Sequence, residues 1–177
     1  ATGGATAGTS GAVTISTGAA TNGNGGMMSF SVGSGNSGAG GKIDVYAGET
    51  TAATSVGGKL SVAAGWGSSS TAGAGGAIKL VGGNGSGKSG GSVTMTTGHG
   101  TATTSGAFSI ASFDAGGSGV SGMVSMTTGV VSDGDGNPSG TISVDSGDAA
   151  SGHGGDFSFT VGGSDSHNGG NINIDAG

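Results

Sequence analysis

Residues 91–98 read Gly-Ser-Val-Thr-Met-Thr-Thr-Gly, and the pattern in this stretch recurs along the whole chain. Each unit has seven residues, Gly-x-apolar-x-apolar-x-x, and usually a closing glycine follows as the eighth residue. Neighbouring units begin 15 to 18 residues apart. A period held this closely predicts a repeat architecture and not a globular domain with a pocket. The eleven units open at Gly11, Gly26, Gly41, Gly58, Gly76, Gly91, Gly106, Gly122, Gly140, Gly155 and Gly170.

The apolar residues occupy the third and fifth positions of each unit. Alternation with a period of two is typical of a strand, in which successive side chains point to opposite faces. We predict that one face is inward and forms the core, whereas the small polar residues between point outward. The predicted core residues are Val13, Ile15, Met28, Phe30, Ile43, Val45, Leu60, Val62, Ile78, Leu80, Val93, Met95, Phe108, Ile110, Val124, Met126, Ile142, Val144, Phe157, Phe159, Ile172 and Ile174.

The glycine content argues against helices, because glycine costs about 1 kcal/mol relative to alanine at an interior helical position. We therefore predict an all-β fold: a flat, parallel, β-helix-like β-solenoid of eleven short strands with glycine-rich corners. A stacked antiparallel β array is the alternative. Residues 1–177 are predicted to form a single repeat domain, one register of a longer tandem or of a head-to-tail polymer. If copies were joined end to end, Gly11 of the next copy would lie eleven residues after Gly177, the same separation as between Gly65 and Gly76.

Composition excludes several classes of protein. The 177 residues include 47 glycines but one proline and no Gly-X-Y period, so collagen and polyproline helices are excluded. The chain has no cysteine, and therefore neither disulfides nor thiolate metal sites. Apolar runs are far shorter than the roughly 18 residues of a membrane span, and we predict none. A net charge of −6 argues against a nucleic-acid partner.

Units such as Gly-Ala-Val-Thr-Ile-Ser-Thr-Gly at 11–18 and Gly-Thr-Ile-Ser-Val-Asp-Ser-Gly at 140–147 carry a resemblance that covers the whole chain. They resemble the long glycine-, serine- and threonine-rich tandem-repeat surface proteins predicted from diatoms and related algae. That resemblance implies an extracellular or cell-surface filament protein, and it transfers no catalytic residue. Phe113 departs from the pattern, because it stands where a closing glycine is expected.

Candidate sites are few. Asp133, Asp135 and Asn137 alternate as in a calcium loop, although the twelfth position holds Val144 and not glutamate; a turn is the simpler interpretation. Residues 82–89 match the phosphate-loop pattern formally, but the pattern requires a following helix, and the sequence there predicts a strand. Asn84 begins the only N-glycosylation sequon. No other cofactor is predicted.

The three histidines, His99, His153 and His167, share no metal-like spacing and are expected to be surface residues. No serine stands at a strand-to-helix elbow, and no convergent set of titratable groups is recognisable. We therefore expect no enzymatic activity.

The sequence favours a structural subunit of an extracellular self-assembling fibre, stacked end to end through strand hydrogen bonding. Its predicted partner is another copy of itself, with glycans as a second candidate. An ice-binding solenoid is the first alternative, because Thr94 and Thr96 form a Thr-x-Thr pair. Charged positions such as Asp44 and Lys79 would interrupt an ice-matching plane. A polysaccharide-binding adhesin repeat is the second alternative.

Overall fold

The computed structural model describes residues 2–132 and 136–176, and in these ranges it has no helix and no strand. The predicted β-solenoid of eleven strands is therefore wrong, and so is the alternative antiparallel array. The chain is coil-like, and the seven-residue units are joined by bends.

Backbone hydrogen bonding explains why the predicted strands do not form. The described residues make eight backbone–backbone hydrogen bonds, whereas folded proteins make about one hydrogen bond per residue, two-thirds of them between backbone groups. A strand is defined by a paired neighbour, and no two units of this chain pair with each other over the described residues. Two apolar side chains per unit do not bury enough surface within one chain to hold two units side by side.

The connections between units do follow the period that the sequence predicts. In seven of the ten connections, and in the segment before Gly11, the bend covers the residues from five to three before the next opening glycine, as at 21–23, 36–38, 86–88 and 101–103. Gly8 and Gly38 end two such bends with φ of 89° and 86°, in the left-handed region that glycine adopts without steric cost. The repeat is therefore a real feature of the structure, and its regularity lies in the connections.

Contacts within the chain divide it into two compact parts, Ala1–Val93 and Thr94–Gly177. To distinguish them from the sequence repeats, we call them the N-terminal half and the C-terminal half. The described residues of both halves are exposed, except for a few that are half-buried, and none is buried.

Candidate functional site

The most extensive feature of the surface is the set of 22 predicted core residues, which we call the apolar rows. None of them is buried: their exposed fraction runs from 43% at Met28 to 86% at Ile174. A single copy of the chain thus forms no core from them. In each of the eleven units the two row residues are exposed.

Three contacts show which side chains share a side of the chain. The rings of Phe157 and Phe159, third and fifth in their unit, meet edge to face with centroids 4.6 Å apart. On the polar positions, Lys42 Nζ lies 2.7 Å from Asp44 Oδ2, and Ser143 Oγ donates to Asp145 Oδ2 at 2.6 Å. Each contact joins residues two apart, as alternation requires. The apolar rows therefore lie on one side of these units, and the second, fourth and sixth residues of each unit lie on the other.

Adjacent methionines show the difference between the two sides. Met27, second in its unit, is 88% exposed, whereas its neighbour Met28 on the apolar rows is 43% exposed. The same contrast separates Met123 from Val124, at 87% and 56%. Met28 and Val124 are thus less exposed than their neighbours, but more than 40% of every row residue remains open to contact with another molecule.

The glycines that flank each connection close it into a loop. In five connections the N–H of the opening glycine donates to the carbonyl of the preceding closing glycine, at 2.8–3.3 Å. These bonds account for five of the eight backbone hydrogen bonds among the described residues. The closed loops are 48–58, 65–76, 83–91, 98–106 and 162–170.

The two kinds of glycine meet different surroundings. A Cβ added at any of the ten opening glycines from Gly26 onward would lie within 4 Å of the residue that ends the preceding unit or of the closing glycine after it, and a Cβ at Gly11 would lie 3.5 Å from the Thr2 side chain. At Gly58, for example, it would lie 3.0 Å from Gly48 N and 3.2 Å from Gly48 O. A Cβ added at any of the nine described closing glycines would meet nothing within 4 Å. Of these two kinds, only opening glycines make a close approach: the added Cβ would lie closer than 3.4 Å to a neighbouring atom at Gly26, Gly41, Gly58, Gly91 and Gly170, and at 3.4–3.5 Å at the other six.

This asymmetry accounts for Phe113, the one residue that replaces a closing glycine. Because the closing position faces open space, a large side chain fits there, and Phe113 is 97% exposed. The connection from 113 to 122 still bends at 117–119, the usual distance before its opening glycine.

Sequence reasoning missed the contact between the end of one unit and the opening glycine of the next, although a signal was present. The seventh residue of a unit is never larger than valine or threonine. The ten that precede an opening glycine are Thr17, Val32, Ala47, Ala64, Gly82, Thr97, Ser112, Thr128, Ser146 and Val161.

We expect Gly58→Ala to open the loop 48–58, because the added methyl group collides with the Gly48 peptide that accepts the Gly58 N–H at 2.8 Å. Losing a hydrogen bond worth about 0.5–1.5 kcal/mol changes the closed fraction by about two- to tenfold. The exchange rate of the residue 58 amide, measured by NMR, reports this change.

Gly48→Ala is the matched control, since its Cβ meets nothing within 4 Å. Both substitutions restrict the unfolded chain to the same degree, so this contribution cancels. Equal amide exchange in the two variants would contradict the assigned role of the opening glycine.

The predicted small-molecule and metal residues are not brought together. Asp133 and Asp135 of the calcium hypothesis lie outside the described residues, and Asn137 is exposed. Asn84 is exposed in the closed loop 83–91. No helix follows the phosphate-loop-like sequence at 82–89, where Gly91 N–H instead donates to the Gly83 carbonyl at 2.8 Å.

All three histidines are exposed, and His167 lies in the bend at 165–167. His167 Nδ1 lies 3.1 Å from Ser166 Oγ, and this hydroxyl also reaches Asp165 Oδ1 at 3.3 Å. These hydrogen bonds join consecutive residues, so they describe the local geometry of one turn. Over the described ranges, no group of three histidine or carboxylate side chains is placed to hold a metal ion, and no cavity is present.

No helix in the described part of the chain is long and apolar enough to cross a membrane. Comparison with known proteins finds no matching family, curated protein or solved structure.

Proposed function

We propose that the chain is a structural subunit of an extracellular or cell-surface fibre and that its principal partner is another copy of itself. One observation carries this proposal: 22 apolar side chains at regular positions are exposed, and among the described residues no apolar side chain is buried. Such a chain obtains no stabilising core alone. It obtains one when the apolar rows of two copies cover each other.

The energetic argument rests on exposed apolar area. Fully burying a valine, leucine, isoleucine, phenylalanine or methionine side chain stabilises by about 1.5–3 kcal/mol. Monomeric soluble proteins rarely expose apolar patches larger than a few hundred Å². Each of the eleven units exposes two such side chains, 22 in all, and these are the groups that association would cover.

Unpaired backbone groups add a second driving force. With eight backbone–backbone hydrogen bonds among its described residues, the chain leaves most N–H and C=O groups for water or for a neighbouring chain. Contacts that bury the apolar rows also remove water from the adjacent backbone, and those groups must then find partners. Hydrogen bonds between copies meet this requirement.

The repeat favours a fibre over a closed dimer. Because eleven similar units present the same third and fifth positions, two copies can overlap along part of their length and leave other units free for a third copy. A contact of this kind does not close on itself, and non-closing contacts generate filaments. The fibre thus grows head to tail.

The extracellular location is part of the proposal and rests on the resemblance to algal surface repeats. Glycans at Asn84, which is exposed, are compatible with that location. No observation favours the ice-binding alternative, because a flat ice-matching face needs a sheet and Thr94 and Thr96 lie outside any strand. A polysaccharide-binding role has no specific observation behind it either.

Electron microscopy of the purified chain across a concentration series tests the proposal. We expect dispersed particles below a threshold concentration and long uniform filaments above it. Spacings of about 4.7–4.9 Å between hydrogen-bonded chains should appear in their diffraction. Dispersed single chains at every concentration would refute the fibre.

A further inference from the structure

The two halves of the chain carry opposite charge. The N-terminal half, Ala1–Val93, contains all four lysines and two acidic residues, for a net charge of +2. The C-terminal half, Thr94–Gly177, contains eight aspartates and no lysine or arginine, for a net charge of −8. The boundary that contacts define therefore coincides with the boundary in charge.

The positions of the charges within the units place many of them on one side. Lys42 and Lys59 are second in their units and Lys79 is fourth. In the C-terminal half, Asp156 is second, and Asp145 and Asp175 are sixth, in their own units. All six are therefore second, fourth or sixth in their units, on the side opposite the apolar rows. All six side chains are exposed.

Most of these charges have no partner in the described part of the same chain. One ion pair is present there, between Lys42 and Asp44, which are two residues apart. Lys59, Lys79 and Lys88 lie within 4 Å of no described carboxylate. They are available to a carboxylate that another molecule supplies.

We propose that the opposite charges of the halves decide which apolar rows cover each other: the N-terminal half of one copy binds the C-terminal half of the next, which gives the fibre its head-to-tail polarity. This inference rests on the proposed fibre. Of the three ways to pair halves of two copies, the N-terminal half with the C-terminal half is the only one between opposite charges. Like-charge contacts are unfavourable, so charge selects the partner surface and speeds encounter.

The unequal charges have a second consequence. Pairing +2 with −8 leaves each copy in the fibre with a net charge of −6. Fibres of like charge repel each other, which opposes lateral clumping. The attraction and the repulsion both weaken as salt shortens the Debye length, about 10 Å at 0.1 M.

Charge reversal in the full chain tests the inference. The variant Lys59→Glu, Lys79→Glu, Lys88→Glu changes the N-terminal half from +2 to −4. The variant Asp145→Lys, Asp148→Lys, Asp156→Lys, Asp165→Lys, Asp175→Lys changes the C-terminal half from −8 to +2. Each variant alone has halves of like sign, and the combined eightfold variant has opposite signs again, with the polarity inverted.

The readout is the lag time of fibre formation by light scattering, with electron microscopy of the product, at low and at high salt. At low salt we expect each single-half variant to lengthen the lag by on the order of tenfold or more, and the combined variant to return to within about threefold of the wild type. High salt should slow the wild type and speed the single-half variants.

Fibres that form with equal lag times in all four proteins would overturn the charge-directed contact and leave the fibre itself standing. A salt-dependent compaction that is independent of concentration, seen by sedimentation, would also overturn it, because the halves would then pair within one chain. Absence of wild-type fibres at any salt concentration would instead refute the proposed function on which this inference rests.

Discussion

We expect Val13→Asp to abolish formation of the proposed fibre, because it places a carboxylate on the apolar rows. Val13 is 69% exposed in the single chain, so the change costs little there. In the proposed fibre, the same position would be covered by a neighbouring copy. The effective penalty for removing an unpaired ion from water is several kcal/mol, and it recurs at every copy added. Pelleting and electron microscopy measure the outcome.

Thr14→Asp is the matched control, since it adds the same charge one residue further along the same unit. Thr14 is fourth in its unit and lies on the side opposite the apolar rows. We expect fibres to form from this variant with at most a modest change in the threshold concentration. Equal effects of the two substitutions would contradict the division of each unit into an apolar and a polar side.

The sequence predicted the repeat unit and its period correctly, because both depend on local properties. Glycine at an opening position such as Gly58 is required by a contact with the preceding unit, and that contact forms within about ten residues of chain. Contacts between alternate residues, such as that between Phe157 and Phe159, are local too. Local geometry of this kind is determined by a short stretch of residues.

The predicted solenoid was wrong because strand pairing is not local. Alternation at Val93 and Met95 indicates that the two side chains share a side, but it does not supply the neighbour that a strand needs. With the apolar residues of one chain left exposed, no unit of that chain covers another. The sequence thus identified the alternating apolar residues but assigned them to a core within one chain, whereas in the structure all 22 are exposed.

The closing positions show a further limit of sequence reasoning. Glycine recurs at these positions almost as regularly as at the opening ones, so both looked equally constrained. The structure distinguishes them, because a Cβ at Gly48 meets open space whereas a Cβ at Gly58 meets the Gly48 peptide. Phe113 was the signal in the sequence: a bulky residue at one closing position indicates that the position tolerates side chains.

Methionine oxidation provides an internal test of the apolar rows, because the five methionines are divided between the two sides. Met28, Met95 and Met126 belong to the rows, whereas Met27 and Met123 are second in their units. All five are exposed in the single chain. Hydrogen peroxide converts an accessible methionine to its sulfoxide, and mass spectrometry of peptides resolves each site, including the adjacent Met27 and Met28.

The most direct test of the central claim is therefore the oxidation rate of each methionine in dispersed chains and in assembled chains of the same protein. In dispersed chains we expect all five to react. After assembly, Met28, Met95 and Met126 should be protected at least about tenfold, because burying the apolar rows removes them from solvent, while Met27 and Met123 continue to react. Equal protection of all five methionines, or protection of Met27 and Met123 in place of the other three, would show that the apolar rows do not form the contact between copies.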